Sequence, residues 1–245
     1  MNRYDILKEI AKEKSKGASV VDYVMGIGLC AVTLDDGRTG VSYTDRKSIP
    51  WGCSLYDELP KTGVSVEEFI KLFDSSDVLL NALGTSAINA CVNDENYENG
   101  DVMEAVNLSK DDVMGMVGYF DPMVSGIKRQ LKTLYIFEKE RTLTTWPQKA
   151  LPPEEIPNVL PECSVLLISA TTVMNKSFDD ILKYAKTDRI ILLGPSTPMV
   201  PKAFPEVKVF GGTTVSPASL KTIAHGGGTR NLYREKVGKK VILIN

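Results

Sequence analysis

The pattern of apolar and polar positions divides the chain into two parts, and the first part opens with strands. An amphipathic helix over residues 2–15 precedes extended segments at 19–34 and 39–44. The sequence Asp35-Asp36-Gly37 between the two segments is typical of a hairpin turn. These positions predict a helix followed by a pair of antiparallel strands.

Strand character stops after residue 44, and two helices are predicted further along. Ser65-Val66-Glu67-Glu68 is a capping-box sequence, in which the serine oxygen and the glutamate each satisfy a free backbone amide, and it opens a helix through Phe73. A second helix is predicted from Ser76 to Val92, because its apolar residues recur at helical spacing. Strands followed by helices indicate an α+β domain.

The second part of the chain changes to continuous apolar runs that alternate with capped helices. Such runs are typical of strands buried on both faces, and they predict a Rossmann-like domain with a mostly parallel sheet. Helix starts are predicted at Asp121-Pro122, Ser177 and Ser216-Pro217. The predicted strands are Val113–Tyr119, Thr133–Phe137, Val165–Ala170, Arg189–Leu193, Val207–Phe210 and Lys240–Ile244.

A linker is predicted between the two parts. Residues 93–101 are acidic and polar, with almost no apolar side chain to bury. We therefore expect an α/β protein with an α+β domain over 1–105 and a Rossmann-like domain over 106–245. Five prolines in residues 146–161 exclude one long helix in that connection.

Charge and hydropathy limit the classes of partner. The net charge of −2 gives no reason to expect nucleic acid or a membrane surface. Residues 1–110 carry a net charge of −7, and the remaining residues carry a net charge of +5. This asymmetry fits two domains that attract each other, a basic domain that binds an anionic ligand, or simply two solvated surfaces of different composition. No signal peptide and no run long enough to span a bilayer is visible, so we expect a cytoplasmic protein, with a homo-oligomer left open.

The potential metal ligands are few and dispersed. Cys30, Cys53, Cys91 and Cys163 lie far apart with no C-x-x-C pair, as expected of free thiols. The single histidine, His225, excludes a multi-histidine centre. A site built from the first three cysteines stays open, but we expect no metal-ligating residues.

The candidate site lies where the predicted parallel strands end, because loop amides and helix N-termini converge there. Glu138, at the end of the second strand, occupies the place of ribose-binding acids in nucleoside-binding folds and is the candidate catalytic residue. The candidate ligand-binding residues in these loops are Gly118, Tyr119, Phe120, Asp121, Thr171, Thr172, Asn175, Gly194, Pro195, Ser196 and Thr197.

Alternative interpretations stand beside these assignments. Glu138 fits equally well as an exposed carboxylate paired with Lys139 or Arg141, and Thr171-Thr172 also suits the end of a strand. Gly194-Pro195-Ser196-Thr197-Pro198 holds a glycine and two hydroxyls in a loop made rigid by prolines, which favours a cradle for a polar or anionic group over a simple turn.

Three familiar chemistries are disfavoured. Gly115 and Gly118 are spaced G-x-x-G and are followed by the bulky Tyr119-Phe120, which argues against a dinucleotide, and no cofactor is identified. His225-Gly226-Gly227-Gly228 matches the oxyanion motif of esterases, but no G-x-S-x-G nucleophile accompanies it. A phosphate-binding P-loop is absent from the sequence as well.

The loops also resemble those of a known family, the prokaryotic proteins described as "putative heavy-metal chelation". The resemblance covers nearly the whole chain. It rests on the segments Val117–Pro122, Phe137-Glu138, Thr171–Asn175, Leu193–Pro198, Gly26–Thr33 and Ile88-Asn89-Ala90. It implies an enolase N-terminal-like domain joined to the Rossmann-like one, an active site at their junction, and Asn89 as a further ligand-binding residue.

The resemblance also carries expectations about function. It implies similarity to Rossmann-like methyltransferases and a role in making or hydrolysing flavin, pterin or siderophore-like molecules connected with metal handling. Our first hypothesis is an enzyme acting on a small polar, heteroaromatic or chelator-type metabolite in the cleft between the domains. The alternatives are a non-catalytic metal-handling or ligand-binding protein and an S-adenosylmethionine-dependent methyltransferase.

Overall fold

An antiparallel three-stranded sheet forms the first part of the protein. The computed structural model describes residues 1–49, 56–93, 97–139 and 150–245. Strands β1 (Val20–Met25), β2 (Leu29–Leu34) and β3 (Thr39–Tyr43) follow helix α1 (Arg3–Ser15) and pair in the order β1-β2-β3. The segment predicted as one strand over 19–34 is two strands, because the chain reverses at Gly26–Gly28, where the Gly26 amide donates to the Leu29 carbonyl.

Two helices cover the first sheet. Helix α2 spans Val66–Lys71, and helix α3 spans Val78–Val92. Helix α3 begins two residues later than the predicted start at Ser76, because Asp77 is its N-cap and its carboxylate accepts from the amides of Leu79 and Leu80. Almost every residue of α3 is buried, which is typical of a helix enclosed on all sides.

Close contact between β3 and α3 depends on Gly40. A Cβ atom at this position would lie 2.0 Å from the Ser86 carbonyl oxygen and 2.2 Å from the Ala90 amide nitrogen. Both atoms belong to the backbone of α3, so neither can move aside by a rotamer change. Glycine at residue 40 therefore lets the strand lie directly against the helix.

The second sheet has seven strands in the described parts of the chain. The strands are β4 (Glu98–Asn99), β5 (Val113–Val117), β6 (Thr133–Phe137), β7 (Val165–Ser169), β8 (Ile190–Leu193), β9 (Val207–Val215) and β10 (Gly238–Ile244). Their order in the sheet is β4-β10-β9-β8-β7-β5-β6, and β5 through β9 are parallel. The predicted α/β class, an α+β part followed by a mostly parallel sheet, is confirmed.

Short helices connect these strands. They are α4 (Val102–Ala105), α5 (Asp121–Ile127), α6 (Ile156–Val159), α7 (Thr171–Met174), α8 (Phe178–Leu182), α9 (Ser219–Ala224) and α10 (Thr229–Arg234). Three predicted caps differ: α5 begins at Asp121 itself, and neither Ser177 nor Ser216 accepts a capping hydrogen bond at the start of α8 or α9. Proline therefore occupies the second helical position of α5, and the helix begins one residue earlier than predicted.

The segment predicted as a linker is anchored at both described ends. The Asn93 side chain donates to the Thr197 carbonyl and accepts from the Met199 amide. Beyond residues 94–96, which lie outside the described residues, Glu98–Asn99 pairs with β10 at the edge of the second sheet. The boundary between residues 105 and 106 stays a prediction.

Arg3 ties the first helix to the second part of the chain. Its guanidinium group bonds both carboxylate oxygens of Glu206 at 3.0 Å and Asp179 at 2.6 Å. The same group lies over the rings of Phe178 and Phe204, 5.1 and 5.6 Å from their centroids. One hydrophobic core runs through residues of both parts, so they pack as a continuous unit.

Asp112 fixes the start of β5 at the end of the sheet opposite the predicted site. Its carboxylate accepts from Arg189 at 2.6 Å, from Ser164 at 2.8 Å and from the Ser109 amide. The bond from Arg189 is the main cause that lowers the pKa of Asp112 to about 2. The ionised group therefore stabilises the folded state above its unfolded pKa of about 3.9, and this contribution is lost as the pH falls toward 2.

We expect Asp112→Asn to lower the free energy of unfolding by about 2 kcal/mol at pH 7, because it weakens three hydrogen bonds to a buried charge. Urea unfolding at pH 7 and at pH 2 measures the effect, and the difference between variant and parent should nearly vanish at the lower pH. Asp111→Asn, on the exposed neighbouring residue, is the control and should leave the unfolding curve unchanged. A difference for Asp112→Asn that is equally large at pH 2 would contradict this account.

Candidate functional site

The order of the parallel strands defines where a ligand is expected. Read from the first parallel strand, β5 and β6 lie side by side and β7, β8 and β9 continue on the other side of β5. This 2-1-3-4-5 order reverses direction next to β5, and the loops that leave β5 and β7 diverge at that point. Open sheets of this type bind ligands in the resulting crevice at the carboxyl ends of the strands.

A large cleft opens at this crevice and extends to the first part of the chain. Its volume is about 790 Å³. From the second part it is lined by Gly118, Tyr119, Phe120, Glu138, Lys139, Ser169, Ala170, Thr171, Met174, Asn175, Lys176, Gly194, Pro195 and Ser196. From the first part it is lined by Tyr43, Asp45, Arg46, Lys47, Ser48, Phe73, Asp74, Ser75, Ser76, Val78 and Asn81.

A smaller pocket of about 330 Å³ adjoins the cleft beyond the ends of β5, β6 and β7. The two spaces share Gly118, Glu138, Lys139, Ser169, Thr171 and Asn175. The remaining lining is mostly apolar, with Val117, Phe137, Pro153, Ile156, Pro157, Ile181 and Tyr184, and it also includes the polar residues Glu154, Thr172, Ser177 and Asp180. Apolar walls and a polar floor suit a ring that carries a few hydrogen-bonding groups.

Glu138 lies where the pocket meets the cleft. One of its carboxylate oxygens accepts from the Tyr119 amide at 3.1 Å, which fixes the loop after β5 to the end of β6. Glu138 and the Gly194 loop line the same cleft, as expected for residues at the carboxyl ends of two parallel strands of one sheet, β6 and β8. Arg141, one of its two alternative partners, lies outside the described residues.

Gly118 keeps the junction between the pocket and the cleft free of side-chain atoms. Its φ of +93° is in the region that favours glycine, and an added Cβ would lie 2.8 Å from the Ser169 Cβ. The chain can therefore turn sharply at the end of β5 and leave the floor of the pocket open. A larger residue here would both strain the backbone and fill the space beside Glu138.

Hydroxyl and amide groups form the floor between β7 and α7. The hydroxyls of Ser169 and Thr171 share a hydrogen bond of 2.9 Å, and Thr172 donates to the Ser169 carbonyl at 2.7 Å. The Asn175 side-chain oxygen accepts from the Ser177 amide and hydroxyl. Ser169, Thr171 and Asn175 line both the cleft and the smaller pocket, whereas Thr172 and Ser177 line only the smaller pocket.

The Gly194–Pro198 loop joins the two parts of the chain below the cleft. The Ser196 oxygen accepts from the Tyr43 amide at 2.8 Å, so this hydroxyl holds the end of β3. Asn89 donates to the Val41 carbonyl at 2.9 Å and lies 3.5 Å from the Pro195 carbonyl. Thr197 is fully buried, and its hydroxyl has no partner among the described residues.

The structure thus brings most of the predicted residues together. Gly118, Tyr119, Phe120, Glu138, Thr171, Asn175, Gly194, Pro195 and Ser196 line the cleft, and Thr172 lines the adjoining pocket. Asn89 and Thr197 are buried beneath it, and Asp121 is exposed outside both spaces, where it accepts from the Tyr119 hydroxyl. Their roles in binding stay predictions.

Sequence reasoning missed the residues that the first part contributes. Asp45 through Ser48 line the cleft because they follow β3 directly, and their run of charged and polar residues after an apolar strand was a usable signal. Lys176 and Tyr184 gave no such signal, because an isolated lysine and an isolated tyrosine are ordinary surface residues in a sequence.

The described cysteines do not form a metal site. Burial raises the pKa of Cys30 to about 11, of Cys91 to about 12 and of Cys163 to about 11, which keeps the thiols protonated. In residues 1–49, 56–93, 97–139 and 150–245, no three His, Cys, Asp or Glu side chains are grouped to hold a metal ion. Cys53 lies outside these ranges.

The donor set of the cleft itself does not fit a heavy metal. The described lining offers carboxylates, amides, hydroxyls and amines, with neither a thiol nor an imidazole, and the thioether of Met174 is its single sulfur ligand, too few to complete a soft-metal site. Soft heavy metals select sulfur and nitrogen ligands over such oxygen groups. The cleft therefore suits an organic ligand better than a bare metal ion.

The glycine run after His225 is used within its own turn. The Gly226 and Gly227 amides donate to the carbonyls of Ile223 and Thr222, and the Gly228 amide donates to the Asn231 side chain. These amides are occupied, so they cannot form the oxyanion hole that the sequence motif suggests.

Among the helices in the described ranges, none has the length and apolar character needed to cross a bilayer.

Comparison with known proteins identifies relatives over nearly the whole chain. Residues 101–242 match the family DUF364 and residues 8–92 match the family DUF4213, each described as "Putative heavy-metal chelation". An uncharacterized protein of Methanocaldococcus jannaschii is 33% identical over 225 residues, which are 86% of this chain and 82% of that protein.

Two solved structures share the fold. A DUF364-family protein of unknown function from Pyrococcus horikoshii superimposes with a TM-score of 0.82 at 23% identity, over 99% of this chain and 100% of that one. Another from Desulfitobacterium hafniense gives 0.78 at 21% identity, over 98% and 100%. With more than half of its residues matched by one family and a relative at 33% identity, the chain belongs to the DUF364 family, described as "Putative heavy-metal chelation".

Proposed function

We propose that this protein is an enzyme that acts on a small polar heteroaromatic metabolite, of the pterin, flavin or siderophore-like chelator type, in the cleft. The observation that carries the proposal is the joined pair of spaces at the carboxyl ends of β5, β6 and β7. The smaller pocket would take the ring between apolar walls. The larger cleft would take the polar substituents.

Glu138 is the proposed acid or base. It lies at the junction of the two spaces, and the Tyr119 amide holds one of its oxygens in place. A carboxylate in this position can accept hydrogen bonds from ligand hydroxyl or ring N–H groups, or exchange a proton with them. Ser169, Thr171 and Asn175 offer hydroxyl and amide groups beside it for orienting the ligand.

This proposal gives "chelation" a specific meaning. The described lining residues do not fit a soft metal ion, so the chelating groups would belong to the organic ligand. The protein would then make, modify or bind a chelator, and the metal would enter with the ligand. A protein that coordinates the metal directly is the alternative.

A thermal-shift screen of the full chain separates these functions. We expect a pterin, flavin or catechol-type compound to raise the melting temperature, because a ligand at 100 times its Kd adds about 2.7 kcal/mol to the stability of the folded state. Zinc or nickel alone should give no such rise, and S-adenosylhomocysteine tests the methyltransferase alternative. Stabilisation by the metals alone, abolished by Cys→Ser changes, would contradict the proposal.

A further inference from the structure

Lys176 is the one lysine in the described lining of the cleft whose amine is buried. It follows α7 directly, and a third of its side chain is exposed, whereas its Nζ atom is covered. That nitrogen lies 2.9 Å from the centroid of the Phe73 ring and 4.7 Å from that of the Tyr4 ring. The amine of a residue from the second part of the chain therefore rests on aromatic faces of the first.

The amine lacks the hydrogen bonds that an ammonium group requires. An ammonium ion carries three N–H donors, and no acceptor lies within hydrogen-bonding distance of Nζ in the described residues. The nearest carboxylate oxygen is Oδ1 of Asp74, at 3.6 Å. A buried charge with so little compensation tends to give up its proton.

The charged groups around Lys176 act in opposite directions. Asp74 and, more weakly, Asp5 favour the ammonium form of Lys176. The positive charge of Lys8 disfavours it, and the Lys8 amine lies 2.5 Å from the second oxygen of Asp74 and 3.3 Å from Asp5. The ring faces of Tyr4 and Phe73 attract an ammonium group, but they also exclude water from it. Desolvation prevails and lowers the pKa of Lys176 to about 8.

We infer that Lys176 is a reactive amine of the cleft that condenses reversibly with the carbonyl group of an aldehyde or ketone ligand. The nitrogen lone pair attacks the carbonyl carbon, and the carbonyl oxygen takes up a proton to give a carbinolamine. Loss of that oxygen as water leaves an imine, and addition of water reverses the step. Both hydrogen atoms of that water come from the amine nitrogen, so no oxidant or reductant is consumed.

This inference rests on the proposed function in one respect only: both place the reaction in the cleft. It concerns a different residue from Glu138, and it requires no heteroaromatic ring. The amine can therefore be tested with a simple aldehyde, whatever the outcome of the ligand screen.

Limited reductive methylation at pH 7 tests the inference directly. The full chain is treated with a small amount of formaldehyde and cyanoborohydride, and the methylation of each lysine is followed by peptide mass spectrometry. Lys16 and Lys236 are matched internal controls, because both share the positive φ of Lys176 but are exposed.

We expect Lys176 to be methylated at least about tenfold faster than either control, because its neutral fraction is far larger at pH 7. Asp74→Asn should increase the rate further, since it removes the carboxylate that favours the ammonium form. In urea the three lysines should react alike. Methylation of Lys176 in the folded protein at or below the rate of Lys16 and Lys236 would overturn the inference, because the amine is then unavailable even to the smallest aldehyde.

Discussion

Gly40→Ala is expected to lower the free energy of unfolding by at least about 4 kcal/mol, which is near the upper end for a single substitution. The added methyl group would overlap the backbone of α3, 2.0 Å from one atom and 2.2 Å from another. The overlap can be relieved only by moving β3 away from the helix, and both elements contribute to hydrophobic cores, α3 with most of its apolar residues and β3 with Val41. Urea unfolding of variant and parent measures the loss.

Gly126→Ala is the matched control for this substitution. Gly126 lies within α5, and apart from its chain neighbours and the backbone of its own helix, no atom lies within 4 Å of the place where its Cβ would be. Alanine should therefore stabilise the helix by about 0.5 kcal/mol, since it is the better helix former. An unfolding free energy for Gly40→Ala within 1 kcal/mol of the parent would show that β3 and α3 are not packed as described.

The substitution of Gly40 also bears on the site. Tyr43 at the end of β3 donates its amide to Ser196, and Val41 accepts from Asn89. Moving β3 would therefore displace the loop that forms one wall of the cleft. If Gly40→Ala still folds at low temperature, we expect it to bind the ligand found in the screen more weakly than the parent does.

Glu138→Gln is expected to weaken ligand binding by tenfold to a hundredfold. The change keeps the shape of the side chain and an oxygen that can accept from the Tyr119 amide, but it removes the charge. A hydrogen bond to a charged group contributes about 1.5–3 kcal/mol, and 1.4 kcal/mol corresponds to a factor of ten in Kd. Isothermal titration with the tightest compound from the screen gives the comparison.

Glu154→Gln is the control for the charge of Glu138. Glu154 also borders the smaller pocket but is exposed, so its replacement should change the free energy of binding by less than about 0.5 kcal/mol. The empty Glu138→Gln protein should melt close to the parent. Unchanged affinity in Glu138→Gln would remove Glu138 from the site, and equal losses in both variants would indicate a general charge effect.

Most of the fold could be predicted from hydrophobic patterning. The runs at 133–137, 165–169 and 190–193 are apolar enough that their lengths and parallel pairing follow from burial on both faces. The reversal at Gly26–Gly28 is marked in the sequence by its two glycines alone, because Ile27 lies between them and apolar residues continue on both sides. The pairing of Glu98–Asn99 with β10 was hidden, because an exposed two-residue edge strand needs no apolar residue.

The sequence predicted mainly the residues that the second part of the chain contributes to the candidate site. Strand ends of a parallel sheet converge by topology, so Gly118, Glu138 and Gly194 follow from the order of the strands. Lys176 becomes conspicuous only when Phe73 and Tyr4, which are distant in sequence, pack against it. The residue types of Ser196 and Thr197 suggest ligand binding, but both side chains are buried where the two parts of the chain meet. That burial depends on how the two parts pack, which the sequence does not show.

The structure of the complex with the tightest compound from the screen tests the central claim most directly. We predict that the ring lies in the smaller pocket between Phe137 and Tyr184, with a donor group within hydrogen-bonding distance of Glu138 and its polar substituents in the larger cleft. A ligand bound elsewhere with both spaces empty, or a metal ion held by protein side chains alone, would contradict it.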